Sequence, residues 1–283
     1  MMKVLITGAG GQLGWDVMKE LERRNIDCCG VDVADFDITD MQATRESIWA
    51  YAPDAVIHCS AYTAVDKAED DVERCTAVNV EGTRNIAVAC RKIGAKLIYI
   101  STDYVFPGTG TEPYEIGDRT GPESVYGKTK LAGEMAVREL ADKLFIVRIS
   151  WAFGKNGSNF VKIMLRLGKE RDEVRVVDDQ IGSPTYTADL ASLLCDMAQS
   201  DKYGIYHASN EGYCSFAEFA EEIFRQASYT AKVVPIPTSQ YPARAIRPFN
   251  SRLSKRSLDK AGFNRLPDWK DALSRYLKEI NAI

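Results

Sequence analysis

Histidine is scarce in this sequence, with only His58 and His207, and the seven cysteines include no Cys-x-x-Cys spacing. A metal site built on imidazoles is thereby close to excluded, and no metal is expected. An odd cysteine count with Cys28 and Cys29 adjacent fits neither a disulfide scaffold nor a zinc cluster, so a reducing cytoplasm is the expected home. No apolar run approaches the roughly 18 residues a membrane span needs. The start, Met1-Met2-Lys3-Val4-Leu5-Ile6-Thr7-Gly8, lacks the long apolar core and small-residue cleavage site of a secretory signal. Nor is there a basic excess: 36 Lys and Arg against 40 Asp and Glu leave a net charge of −4, which argues against a nucleic-acid partner. There is no internal repeat and no low-complexity tract. What is present is the mix of an ordinary globule, 45% apolar and 27% charged over 283 residues, enough for one large domain or two coupled ones.

Strand-like and helix-like segments alternate through the first half. Lys3–Thr7, Cys28–Val33, Ala55–His58, Lys96–Ser101 and Leu144–Ile149 are short apolar runs of the kind buried on both faces of a parallel sheet. Between them, Leu13–Arg24, Gln42–Tyr51, Val72–Arg91 and Ser124–Leu140 read as helices. This order predicts a Rossmann-type α/β fold, a doubly wound parallel sheet with right-handed crossovers. After Ile149 the rhythm loosens. Asn156–Glu170, Thr187–Gln199, Ser215–Ala227 and Asp268–Ile280 look helical, Gly204–Ala208 looks like a strand, Val233–Pro237 is extended, and Pro242–Pro248 is a loop. The expected organisation is a doubly wound domain over residues 1–150, to which the chain returns around 186–209, and a smaller, interleaved α+β domain formed mainly by 151–283.

Thr7-Gly8-Ala9-Gly10-Gly11-Gln12-Leu13-Gly14 follows the first strand and opens the first helix. Gly8, Gly11 and Gly14 suit a tight turn whose backbone approaches a pyrophosphate at the positive end of a helix. Asp32 closes the second strand, where an acidic group would hold the adenosine ribose. No Arg follows it closely, so NADH should be tolerated beside NADPH. Asp37 and Ile38 would flank the adenine. The first domain is thus expected to bind a dinucleotide and the second a substrate.

Tyr126 and Lys130 lie four apart on a predicted helix, hence on one face, and Tyr126 is the only one of 13 tyrosines with Lys at that spacing. An ammonium beside a phenol favours the phenolate and should lower the phenol's pKa, readying it to give a proton to a carbonyl oxygen. The position of this pair, on a helix after a strand ending Ser101-Thr102 and downstream of the glycine turn, resembles the extended short-chain dehydrogenase/reductase family. The resemblance implies that Thr102 completes the catalytic set, that Lys130 binds the nicotinamide ribose, and that Asn79 supports the lysine.

Within that family the chain is similar to the dTDP-4-dehydrorhamnose reductases. The segments that carry this are 60–69 (Ser60-Ala61-Tyr62-Thr63-Ala64-Val65-Asp66), Ser101-Thr102-Asp103-Tyr104-Val105-Phe106, 125–134 around Tyr126 and Lys130, 179–185, and Arg247-Pro248-Phe249-Asn250-Ser251-Arg252-Leu253. They span nearly the whole chain. The resemblance implies reduction of the C4 ketone of dTDP-4-dehydro-L-rhamnose, with Tyr126 as proton donor and Thr102 bonding that oxygen or tuning the tyrosine. It further implies Gly8, Gly11, Gln12, Leu13, Gly14, Asp32, Asp37, Ile38, Ala61, Tyr62, Thr63, Tyr126 and Lys130 around NADPH or NADH. Val65, Thr102, Asp103, Tyr104 and Trp151 are implied around the sugar. Related dehydratases follow the strand threonine with Asp-Glu for acid–base elimination; here Tyr104 stands in place of the second carboxylate, which favours reduction.

Between Ala243 and Arg265 seven basic residues face one acid, Asp259. That excess suits a pyrophosphate, with Arg247 and Arg252 as the expected ligands. Some family members are dimers with Mg²⁺ between subunits; Asp16 could match one acid, but Ala188 stands at the second position with Asp189 beside it. A monomer or homodimer without metal is expected. The alternatives are a reductase of another nucleotide-linked 4-keto sugar, or a non-catalytic regulatory subunit of the methionine adenosyltransferase type.

Overall fold

Residues 2–283 are described by a computed structural model. Val4, Leu5 and Ile6 are buried almost completely, because strand β1 (Lys3–Thr7) lies mid-sheet with helices on both faces. Beside it run β2 (Asp27–Val31), β3 (Ala55–His58), β4 (Lys96–Thr102), β5 (Leu144–Ile149) and β6 (Gly204–His207). All six are parallel, in the order β6-β5-β4-β3-β1-β2. The main helices are α1 (Gln12–Arg23), α2 (Met41–Tyr51), α3 (Thr83–Ile93), α4 (Val125–Leu140) and α5 (Thr187–Ala198). Val4 and Ile6 pack with Leu13, Val17 and Leu21 of α1 and Leu190 and Leu194 of α5. Leu5 packs on the opposite face with Ile48, Ile86 and Val137. The strand order reverses at β1, between β2 and β3, and a crevice opens at such a switch point beyond the carboxyl ends of the strands.

The predicted helix at 72–91 is broken up: Val72–Thr76 is α-helical, Ala77–Gly82 is a π-helical segment, and α3 follows. Apolar periodicity does not register one extra residue in a turn.

The rest of the chain packs around an aromatic core of Phe153, Phe219, Trp269 and Tyr276. Helices Phe160–Glu170, Phe216–Gln226 and Trp269–Glu279 surround it, and Glu173–Val177 pairs in parallel with Lys232–Ile236. The helix expected from Asn156 begins at Phe160 because Asn159 caps it, accepting from Lys162 N at 3.0 Å. Two-residue strands at Ile181–Gly182, Cys214–Ser215 and Asn250–Ser251 form a small sheet, and Ala152–Phe153 pairs with Thr185–Tyr186. Those strands, Glu173–Val177 and the helix Arg256–Ala261 have no counterpart in the sequence reading. Among the described residues, no helix is long and apolar enough to cross a membrane.

Candidate active site

A cavity of about 750 Å³ runs from the glycine turn to Tyr126 and Trp151 at the carboxyl edge of the sheet. Every site residue expected from the sequence, except Asn79, Arg247 and Arg252, lines it.

The glycine turn is glycine-rich for steric reasons. Gly8 adopts φ +70°, and a Cβ there would lie 2.8 Å from Ser60 N. A Cβ on Gly14 would lie 2.1 Å from the Gly8 carbonyl oxygen. Helix α1 starts at the Gly11 cap with no side chain accepting from its first N–H groups, which stay available to an anion. Asp32 lines the cavity, but its carboxylate also braces the turn, accepting from Gly10 N at 2.5 Å. The Asp37 carboxylate accepts from Thr39 N and Thr39 Oγ1, each at 2.8 Å. The Ala61-Tyr62-Thr63 loop is pinned by Asn79, whose Oδ1 accepts from Tyr62 N at 2.8 Å and whose Nδ2 donates to the Tyr62 carbonyl at 3.2 Å. Asn79 Nδ2 also donates to Thr129 Oγ1 at 3.1 Å. Its side-chain hydrogen bonds go to the loop, to Thr129 and to Cys75 Sγ; none reaches Lys130, which the resemblance implied it supports.

Thr102 ends β4, and Tyr126 and Lys130 occupy the first two turns of α4. Ser124 caps that helix, accepting from Gly127 N at 3.1 Å. Gly127 lets it approach the preceding loop, since a Cβ would lie 2.4 Å from the Tyr104 carbonyl oxygen. Thr102 Oγ1 donates to Asp103 Oδ1 at 2.9 Å and accepts from Tyr104 N at 3.2 Å. The Tyr104 and Tyr126 rings meet edge to face at 5.5 Å.

The electrostatics differ from the expectation of a lysine-lowered phenol. Burial pushes the Tyr126 phenol up, partly opposed by the Thr102 hydroxyl, with Asp103 and Tyr104 adding to the rise. Burial also pushes Lys130 down, to about 7, against the pull of Glu134. Desolvation is the largest cause at both groups, with Lys130 buried and Tyr126 half-buried at the cavity wall. Lys130 Nζ lies 4.1 Å from the centre of the Tyr99 ring. Asp103 is buried and pushed up to about 6 by that burial. Its Oδ2 has no hydrogen-bond partner among the described residues.

At the far end, Trp151 holds φ +48°, a conformation rare for a non-glycine residue and typical of constrained sites. Its ring stacks on Phe216 at 3.7 Å, and a Cβ on Gly182 would come within 2.8 Å of it. Val65 opens the short helical turn Val65–Ala68 at the cavity wall.

The basic run does not converge on the cavity. Arg247 donates to Asp66 Oδ2 at 2.5 Å and to Tyr104 Oη at 3.1 Å. Arg252 donates to its neighbour Asn250 at 3.0 Å. Arg244 pairs with Asp70, Arg256 with Glu115, and Arg265 with Asp259 and Glu211. A count of charges along the chain is blind to acids that folding brings from residues 66–115 and from 211. Conversely, Arg74, Cys59, Ser60 and Phe36 line the cavity and were missed. Arg74 lies in a run of mixed charge, Asp70-Asp71-Val72-Glu73-Arg74, that carries no signal of its own.

Asp16 accepts from Thr187 Oγ1 and is pushed up to about 6 by burial, while Asp189 is engaged by Arg275 at 2.6 and 2.7 Å. Among the described residues no group of three or more His, Cys, Asp and Glu side chains is placed to hold a metal.

Residues 2–282 match the family described as the RmlD substrate binding domain. The spore coat polysaccharide biosynthesis protein SpsK of Bacillus subtilis is 40% identical over 279 residues, covering 99% of this chain and 98% of the relative. A dTDP-4-dehydrorhamnose reductase of Streptomyces griseus is 43% identical, covering 95% of this chain and 91% of its own length. The crystal structure of dTDP-4-dehydrorhamnose reductase from Bacillus anthracis in complex with NADP superposes with a TM-score of 0.96 at 45% identity, covering 99% of this chain and 100% of that one. The chain belongs to the RmlD family, and is an oxidoreductase of that family, a 4-keto sugar reductase.

Proposed function

We propose that the protein reduces the C4 ketone of dTDP-4-dehydro-L-rhamnose to dTDP-L-rhamnose, using NADPH or NADH. The observation that carries this reading is one cavity holding the glycine turn, the Thr102, Tyr126 and Lys130 set, and a single carboxylate, Asp103, beside the phenol. Residues 1–150, with 186–209, form the dinucleotide-binding part, and the remainder of 151–283 carries most of the sugar-nucleotide contacts. The glycine turn fits a dinucleotide, since Gly8 and Gly14 allow the tight backbone packing that leaves the first N–H groups of α1 with no side-chain acceptor. Hydride is the chemistry that the bound dinucleotide supplies. Tyr126 gives its phenolic proton to O4 of the sugar, and Thr102 holds that oxygen or the phenol. Lys130 holds the nicotinamide ribose. Asp103, which lines the cavity, takes a hydrogen bond from a sugar hydroxyl. Elimination of water would need a second carboxylate there, where Tyr104 stands.

Among the described residues, the only cations lining the cavity are Arg74 and Lys130, and the adenosine end carries Asp32 and Asp37. A 2′-phosphate would meet the Asp32 charge, so NADH serves alongside the NADP(H) that the Bacillus anthracis relative's complex points to. The test is oxidation of NADPH and NADH, in parallel, with enzymatically generated dTDP-4-dehydro-L-rhamnose and with UDP- and GDP-linked 4-keto sugars. Turnover confined to the dTDP sugar, yielding dTDP-L-rhamnose, is expected. Turnover only with another sugar would favour the second reading, which similarity to SpsK supports: a reductase of a different nucleotide-linked 4-keto sugar. Inertness with every sugar while both dinucleotides bind would favour the regulatory-subunit reading.

A further inference from the structure

Tyr104 stands at the cavity wall with its backbone fixed locally and its hydroxyl held from across the chain. Its N–H donates to Thr102 Oγ1 at 3.2 Å, and it packs so closely on α4 that a Cβ on Gly127 would lie 2.4 Å from its carbonyl oxygen. Its ring meets that of Tyr126 edge to face, with centroids 5.5 Å apart. Arg247 grips the tip, donating from Nη1 to Tyr104 Oη at 3.1 Å, while its other prong, Nη2, reaches Asp66 Oδ2 at 2.5 Å. Asp66 is anchored in turn. It lies on the helical turn Val65–Ala68, and its Oδ1 accepts from Ala245 N at 3.0 Å. Glu69, just past that turn, accepts from Val125 N of α4 at 2.9 Å, and Asp70 pairs with Arg244 at 2.6 Å. The loop 242–248 is thus fastened to residues 66–70, and these to the helix that carries Tyr126.

We propose that Arg247 is a positioning residue for the sugar nucleotide: fixed by Asp66, it holds Tyr104 in place and makes the Tyr104 hydroxyl a donor to an acceptor oxygen of that ligand. This rests on the reductase reading above, in which the sugar nucleotide occupies this end of the cavity. The direction of the bond follows from the groups themselves. A guanidinium carries N–H donors and no acceptor, so Tyr104 Oη accepts from it and the phenolic proton is left for another partner. No hydrogen bond among the described residues uses that proton. Tyr104 lines the cavity and Arg247 does not, so the group presented to a ligand is the phenol, with the cation behind it. An anion that took Arg247 directly would have to displace Asp66. An ion pair whose side chains are 22% and 45% exposed adds little to stability, so what it contributes is orientation, and breaking it should spare the fold.

The experiment is a double-mutant cycle on Arg247 and Tyr104, read as KM and kcat for the 4-keto sugar nucleotide that the wild type reduces, beside the dissociation constant of NADH. Arg247→Met and Tyr104→Phe should each raise KM by about tenfold, the order of a hydrogen bond assisted by a charge. Turnover at saturation and NADH affinity should change little, because the bond is made alike in the ground and transition states. The double variant should do no more than either single one, since the same hydrogen bond is lost in all three. Asp66→Ala should also raise KM, as the guanidinium loses its anchor. A direct ligand of the pyrophosphate predicts the reverse: losses multiplying to about 100-fold in the double variant, and a lower KM in Asp66→Ala as Arg247 is released. Either result would overturn the proposal, as would a fall in NADH affinity that matches the rise in KM, the mark of a merely structural role. If Arg247→Met does not fold, Asp66→Ala takes its place in the cycle with Tyr104→Phe. A crystal structure of Asp66→Ala with NADPH needs no sugar: the Tyr104 hydroxyl should be displaced or disordered, and an unmoved one contradicts the proposal. A displaced hydroxyl, with no sugar nucleotide turned over by the wild type, would count against the reductase reading alone.

Discussion

The two ends of the cavity are built differently. At the dinucleotide end, functional groups sit at the last residue of a strand or in the first turn of the next helix, and backbone geometry does most of the placing. Gly8 and Gly14 act through the Cβ atoms they lack, and Asp32 acts on the turn through the Gly10 amide. At the sugar end, side chains are placed by contacts between distant segments. Trp151 holds a left-handed conformation against Gly182 and Phe216, and the Tyr104 hydroxyl accepts from Arg247, itself paired with Asp66 across the chain. The first end is a local device, whereas the second depends on the fold of residues 151–283 being complete.

The sharpest way to break this contrast is at Gly14. Gly14→Val puts a branched side chain where even a Cβ would meet the Gly8 carbonyl, and should weaken NADH binding by on the order of 100-fold or more. Near-normal affinity by fluorescence titration would show that the turn is not the cradle. A second step, Phe216→Ala, removes the stacking partner of Trp151 and should lower kcat/KM for the sugar by about tenfold, the order of an aromatic pair. NADH affinity should stay within about twofold in the same protein, and a matching loss there would merge the two ends.

Asp32→Ala should raise the NADPH-to-NADH ratio of kcat/KM by about tenfold, through removal of repulsion against a 2′-phosphate. An unchanged ratio would place ribose discrimination elsewhere. Smallest of all is Arg252→Ala, whose guanidinium is engaged by Asn250 away from the cavity. Its KM for the sugar nucleotide should stay within about twofold, and a large rise would restore the pyrophosphate role expected from the sequence.

The same contrast explains what was legible in the sequence. The doubly wound sheet was readable because most of the strands β1 to β5 are short, nearly continuous apolar runs separated by helix-like segments. The glycine turn and the Tyr126–Lys130 spacing are local patterns, and the structure brings both to one cavity. The two-residue strands around Gly182, Cys214 and Asn250 were not readable, since two residues carry no periodicity. The pairing of Arg247 with Asp66 joins positions far apart in the chain, and the burial that pushes Lys130 down to about 7 comes from tertiary packing. Residue type predicted which groups meet; desolvation decided their charge.

The most direct test of the account is Tyr126→Phe, read for NADH affinity and for turnover with dTDP-4-dehydro-L-rhamnose. The substitution removes one hydroxyl and leaves the glycine cradle and Lys130 in place. Affinity should stay within about twofold while turnover falls by roughly 100- to 10,000-fold, the range of a lost general acid. A variant that reduces the sugar at the wild-type rate would contradict Tyr126 as the proton donor and, with it, the reaction assigned to this cavity.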